Sequence, residues 1–196
     1  MRKKVTTKIL MSIMTIVTVG ALIGGGVYAA FSDPETSTGN QFTAGTLDLT
    51  VDGENPWTST PVSVGNMKPG DLGVVTLTVY NAGNLSGTLS FDLTNLSDSE
   101  GTNTEPEGNT AEPGDLSANM DILIWVDSNG DGIKDVGETV LYIGKLSAEA
   151  GPYSIGTLNS GVTNYVSMSY SIDSGVGNDI QGDSSSFDLE FTLAQV

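Results

Sequence analysis

The chain has 196 residues, enough for one domain with a substantial core, and it contains neither cysteine nor histidine. The first absence excludes disulfides and thiolate chemistry; the second excludes imidazole bases, Ser-His-Asp triads and nearly all zinc sites. The formal net charge is −17, and four of the seven basic residues (Arg2, Lys3, Lys4 and Lys8) fall at the very start, which leaves a strongly acidic remainder. Such a surface repels nucleic acid and anionic lipid and attracts divalent cations, so no nucleic-acid partner is expected.

Residues 1–29 read as a secretory signal peptide. The basic start is followed by an uncharged apolar run, Ile9–Ile23, and Gly24-Gly25-Gly26 ends it. Val27-Tyr28-Ala29 places small residues where a signal peptidase reads them, which predicts cleavage after Ala29. An uncleaved membrane anchor is the competing reading, but the apolar run is short for a span. Cleavage would leave a secreted chain with no hold on the membrane. It would begin with a polar, extended arm, Ala30–Phe42, in which Pro34 blocks a helix. The domain proper then covers residues 43–196. From Thr46 the pattern alternates, with Leu47, Leu49 and Val51 on one face and Thr46, Asp48 and Thr50 on the other, as in a half-buried strand.

Several stretches together resemble the TasA/camelysin family. They are Gly24-Gly-Gly-Val-Tyr-Ala-Ala-Phe-Ser-Asp33, Phe42-Thr-Ala-Gly-Thr-Leu-Asp-Leu49, Met67-Lys-Pro-Gly-Asp71, Tyr80-Asn-Ala-Gly-Asn84 and the closing Phe187-Asp-Leu-Glu-Phe-Thr-Leu-Ala-Gln195. The resemblance implies export through a SipW-type signal peptidase and a jelly-roll-like β-sandwich. For the TasA branch it implies fibre-forming subunits of a biofilm matrix at the cell surface. It further implies polymerisation by donor-strand complementation, in which the freed arm Ala30–Phe42 of one copy completes a sheet of the next. Phe31 and Phe42 are the candidate anchors of that arm. Some members of the family are labelled metalloproteases.

The pattern alone agrees with an all-β, antiparallel sandwich. Strands are expected at Val74–Tyr80, Thr88–Thr94, Asp121–Val126, Thr139–Ile143, Asn164–Ile172 and Ser186–Leu193, each rich in β-branched or aromatic residues with period two. Pro69-Gly70 and Asn81-Ala-Gly83 mark turns. Ser97–Asn119 is acidic and rich in Pro and Gly, and reads as a solvated loop. Asp173–Asp183 reads in the same way, with a second cation site or a contact between subunits as the sharper alternative for both. Trp125 alternates with Leu123 and is expected on the same sheet face. Asn84-Leu-Ser86 and Asn95-Leu-Ser97 have the form of glycosylation sequons.

Chemistry is specified most sharply by Asp127-Ser-Asn-Gly-Asp-Gly-Ile-Lys-Asp-Val-Gly-Glu138. With Asp127 as the first position, oxygen-bearing side chains follow at the third (Asn129), fifth (Asp131), ninth (Asp135) and twelfth (Glu138). Gly132 stands where a calcium loop turns sharply, and Ile133 is placed to offer its backbone carbonyl. The predicted ligands of Ca2+ are therefore Asp127, Asn129, Asp131, Ile133, Asp135 and Glu138. The flanks are strands rather than helices, and Lys134 stands where paired EF-hands carry an apolar residue, so a fixed brace at a hairpin tip is expected instead of a sensor. A protease finds little support, since no His-Glu-x-x-His motif exists and carboxylates alone suit calcium better than zinc. The expected function is an exported fibre subunit. The alternatives are a monomeric, calcium-binding cell-surface module and, less favoured, a camelysin-like protease.

Overall fold

The computed structural model describes residues 7–19, 21, 44–58, 67–100, 114–177 and 180–195. It forms two units, Met1–Thr43 and Ala44–Val196. In the first, residues 7–19 are helical. The hydroxyls of Ser12, Thr15 and Thr18 donate back to the carbonyls of Lys8, Met11 and Met14 at 3.0, 2.9 and 2.8 Å, which leaves the helix with an apolar exterior. Among the described residues no helix is long and apolar enough to cross a membrane. The expected cleavage site at Ala29 and the arm Ala30–Phe42 lie outside the described residues.

The second unit is an antiparallel β-sandwich with eight strands among the described residues. In chain order they are β1 (Leu49–Val51), β2 (Leu72–Asn81), β3 (Gly87–Ser99), β4 (Met120–Asp127), β5 (Val140–Lys145), β6 (Tyr153–Leu158), β7 (Thr163–Ile172) and β8 (Ser184–Gln195). One sheet has the order β1-β2-β7-β4-β5 and the other β6-β3-β8. Alternation decides what goes inside. Leu77 and Val79 of β2, Leu89, Phe91 and Leu93 of β3, Ile122 and Ile124 of β4, and Val166 and Met168 of β7 are all buried between the sheets. Because successive residues of a strand point to opposite faces, these apolar sets form one dry layer once the sheets are stacked.

Two polar nodes are built into this frame. Asn81 is fully buried at the end of β2. Its amide donates to the carbonyls of Leu85 (2.8 Å) and Leu158 (3.2 Å) and accepts from the Gly83 N–H (3.0 Å). One side chain thus fixes the β2–β3 turn and ties it to β6 in the other sheet. Asp98 of β3 accepts from the hydroxyl of Ser117 at 2.5 Å and from that of Ser185, which secures a single helical turn, α1 (Leu116–Asn119), against β3 and β8.

The expected strands are all present, with shifted ends. The strand anticipated from Thr46 pairs only from Leu49, because Thr46 and Asp48 use their carbonyls on the turn N–H groups of Asn84 and Ala82 instead. β3 runs on to Ser99 across an irregularity after Thr94, where Asn95 takes a φ of 55°. The expected loop Ser97–Asn119 is correspondingly shorter: Ser97–Ser99 pair with β8, Leu116–Asn119 are helical, and residues 101–113 lie outside the described set. β6 was not legible as a strand, because Gly156 interrupts its alternation and Pro152 precedes it. Trp125 does share a face with Leu123, but it is the face opposite the main core: Trp125 stands across from Ser167, whereas Ile124 stands across from buried Met168.

Candidate metal centre

Asp127 is the last residue of β4, and the eleven residues after it fold back over the outer face of the five-stranded sheet. Two glycines make that path possible. Gly130 and Gly132 have φ of 72° and 74°, a region that side chains disfavour. They also pass close to the sheet: a Cβ at Gly130 would meet the Tyr165 ring at 3.0 Å, and one at Gly132 would meet Thr76 Oγ1 at 3.2 Å. The loop therefore lies on β2 and β7 rather than standing off the hairpin tip.

Asp127 anchors it. The side chain is only 1% exposed. Its Oδ1 accepts from the N–H groups of Gly130 (2.6 Å) and Asn129 (3.3 Å), and its Oδ2 accepts from the Gly132 N–H (2.8 Å) and the Ser167 hydroxyl (2.7 Å). Ser167 Oγ lies 2.8 Å from Thr76 Oγ1, so the carboxylate is linked through β7 to β2. Burial pushes the Asp127 carboxyl up, but Ser167 Oγ and the three N–H donors together outweigh it and hold the group below its ordinary value.

Glu138 closes the loop at its other end. Its Oε1 accepts from the Ser128 N–H (2.6 Å) and hydroxyl (2.8 Å), and its Oε2 accepts from the Asp135 N–H (2.9 Å). The Ser128 and Asp135 N–H groups hold its carboxyl below its ordinary value, against the opposing effect of the Asp127 charge. Between the two anchors, the Asn129 amide nitrogen donates to Asp131 Oδ2 (3.0 Å) and Asp135 Oδ2 (3.4 Å). The third, fifth and ninth positions thus meet at one point, with an amide donor between two carboxylates. Asp131 Oδ1 accepts from the Ile133 N–H at 2.8 Å, and Lys134 Nζ donates to the Asp135 carbonyl at 2.6 Å.

The six predicted ligand residues therefore occupy one loop but do two kinds of work. Asp127 and Glu138 are engaged by N–H and O–H donors that shape the loop; Asn129, Asp131 and Asp135 converge. Among the described residues no group of three or more His, Cys, Asp or Glu side chains is drawn together as a finished metal cluster. The donor set still fits a hard cation. Its side chains offer oxygen only, a half-turn of the Asn129 amide presents Oδ1 in place of nitrogen, and the two carboxylates beside it carry the charge. Ser128, Ser167 and Thr76 were missed by the spacing pattern. Ser128 lies inside the loop but is not a ligand position, and Ser167 and Thr76 join the site only through strand register.

Residues 3–142 match the family described as camelysin metallo-endopeptidase, and that span is more than half of the chain. The chain belongs to the camelysin family. The match runs from the basic N-terminus through β4 and the whole Asp127–Glu138 loop into β5. No curated protein matches the chain. A solved structure described as "AvmM Catalyzes Macrocyclization in Alchivemycin A Biosynthesis" is similar over 76% of this chain and 89% of that one, at 8% identity and a TM-score of 0.31. The camelysin family name denotes a metal-dependent peptidase, yet this member has no histidine with which to build a zinc site of the usual kind.

Proposed function

We propose that this camelysin-family protein is an exported structural subunit of extracellular fibres or biofilm matrix, polymerised by strand addition and braced by calcium. The observation that carries the reading is an open sheet edge. β2 has ten residues, but β1 pairs with only three of them, Val79–Asn81. Among the described residues, Leu72–Leu77 have a ladder partner on one side alone, β7. The opposite lip is also unfinished: Phe187, Leu189, Phe191 and Leu193 of β8 point inward yet are only half-buried. Phe191 and Leu193 pack against a cluster of Val79, Leu89 and Leu158, which Leu49 of β1 also joins. An unpaired run of N–H and C=O groups beside half-covered apolar side chains is the chemistry that accepts an extended segment.

The donor in this reading is Ala30–Phe42 of a second copy, freed by a SipW-type signal peptidase. Electron microscopy of the purified, processed protein tests it. Filaments are expected from the intact chain and none from a folded chain lacking residues 30–40; filaments of normal yield from the shortened chain would refute it.

Calcium binding belongs to the same proposal. Asp127, Asn129, Asp131, Asp135 and Glu138 would hold the ion through side chains and Ile133 through its carbonyl. The ion supplies positive charge between acids that otherwise repel, on a chain with an excess of acid. The peptidase reading rests on the family name and is separated by a casein-cleavage assay with a chelator control.

A further inference from the structure

The open edge of β2 is closed at one end by a carboxylate. Along a strand, the main-chain N–H and C=O groups of successive residues point to opposite sides. Asn81 bonds to Gly161 and Val162 beside β7, and Asp71 bonds to Ile172 of β7, so the even-numbered residues between them face the β1 side. Tyr80 is met there by Thr50 of β1. Thr78 is met by Asp52: the Asp52 N–H donates to the Thr78 carbonyl, and the Thr78 N–H donates to Asp52 Oδ1, both at 2.8 Å. Among the described residues, nothing on that side answers the N–H and C=O groups of Leu72, Val74 and Thr76. At Asp52 the chain leaves the edge. Asp52 has a φ of 51° and Gly53 one of 80°, as in a tight hairpin turn, and Val51 pairs with Glu54 on the side away from β2. The Asp52 side chain is left standing in the line that β1 has vacated.

That stop decides what can add. A strand laid beside Leu72–Thr76 meets β1 head-on at Thr78, so it has to start or finish at Asp52. A strand antiparallel to β2 starts there, and a parallel one finishes there. An anionic stop attracts the α-ammonium of a chain start and repels the carboxylate of a chain end. Asp52 Oδ1 is taken by the Thr78 N–H, but among the described residues Oδ2 accepts no hydrogen bond. We infer that Asp52 pairs with the α-ammonium of Ala30 from a second copy, so that the arm enters antiparallel to β2 and continues the line of β1. The inference rests on the proposed strand addition and adds its direction, its starting point and the residue that selects them. With Ala30 opposite Thr76, Phe31 stands opposite Val75, whose side chain packs against the core, and Pro34 falls only at Leu72, where the edge ends.

A two-by-two comparison tests the pair in the purified, processed chain. Acetylating the α-amine of Ala30 removes one charge and leaves the sandwich untouched. Asp52→Asn removes the other and keeps an oxygen for the Thr78 N–H. At low salt, either change alone is expected to raise the critical concentration for filaments about threefold, the scale of an exposed ion pair, and both together no further. High salt should shrink the difference. General repulsion between acidic copies predicts the opposite sign for Asp52→Asn, since that variant carries less negative charge. Equal critical concentrations for free and acetylated chains, or an acetylation effect that persists in Asp52→Asn, overturn the pairing and leave strand addition standing. A native chain that forms no filaments overturns strand addition and the pairing with it.

Discussion

Asp127 shows how one residue can serve two ends. Its carboxylate receives four donors and is closed off from solvent, so it shapes the loop before any ion is considered. Asp127→Asn keeps the shape but turns an N–H2 group toward those donors. A loss of about 1–3 kcal/mol is expected in urea unfolding, the usual cost of an unmet buried polar group. The same carboxylates set the response to acid. Asp127 and Glu138 sit below their ordinary values of 3.8 and 4.5, so the unfolded chain binds more protons than the folded one as the solution is acidified. Their stabilisation is complete above those ordinary values and is lost as pH falls through the lower, folded ones. Unfolding followed by circular dichroism should therefore show an acid limb that is shallower in Glu138→Gln. Near the same end of the five-stranded sheet, Asn81→Ala strands two carbonyls and leaves the Gly83 N–H only the Asp48 carbonyl at 3.3 Å, and should cost about 1–3 kcal/mol by the same measurement.

At the scale of the element, the loop Asp127–Glu138 was legible as a run of oxygen-bearing residues at fixed spacing. Its seat on the sheet was not. That depends on Ser167 and Thr76, brought together by the pairing of β7 with β4 and β2, and nothing local to Asp127 announces it. The division of labour within the loop also changes which substitutions report on calcium. Asp127→Ala would damage the fold directly, whereas Asp131 and Asp135 are exposed and converge on the Asn129 amide. Calcium is expected to raise the melting temperature of the native chain, and Asp131→Asn with Asp135→Asn to abolish the rise while leaving the calcium-free melting temperature nearly unchanged. A native melting temperature indifferent to calcium would leave the loop a hydrogen-bonded hairpin connection and nothing more. Among the strands, those with strict period two were legible and β6 was not. Gly156 contributes no side chain to its pattern, and its place beside β3 follows from pairing at Gly87–Phe91, far away in sequence.

For the whole molecule, the sandwich is closed on its inner faces and unfinished along one side. Its sequence made the β-sandwich legible, since that rests on simple periodicity. The interrupted edge was not legible. The alternation from Thr46 suggests a longer first strand, and only the structure reveals that β1 stops at three residues and that, among the described residues, Leu72–Leu77 of β2 have a ladder partner on one side alone. In the proposed mechanism that edge is where the polar arm Ala30–Phe42 of a second copy would add. Amide hydrogen exchange on β2 tests this most directly, comparing assembled filaments with the folded chain lacking residues 30–40. Strand addition predicts that amides within Leu72–Leu77 become strongly protected in filaments while those of Val79–Asn81, already paired on both sides, change little. Filaments in which Leu72–Leu77 exchange as fast as in the shortened monomer would contradict it.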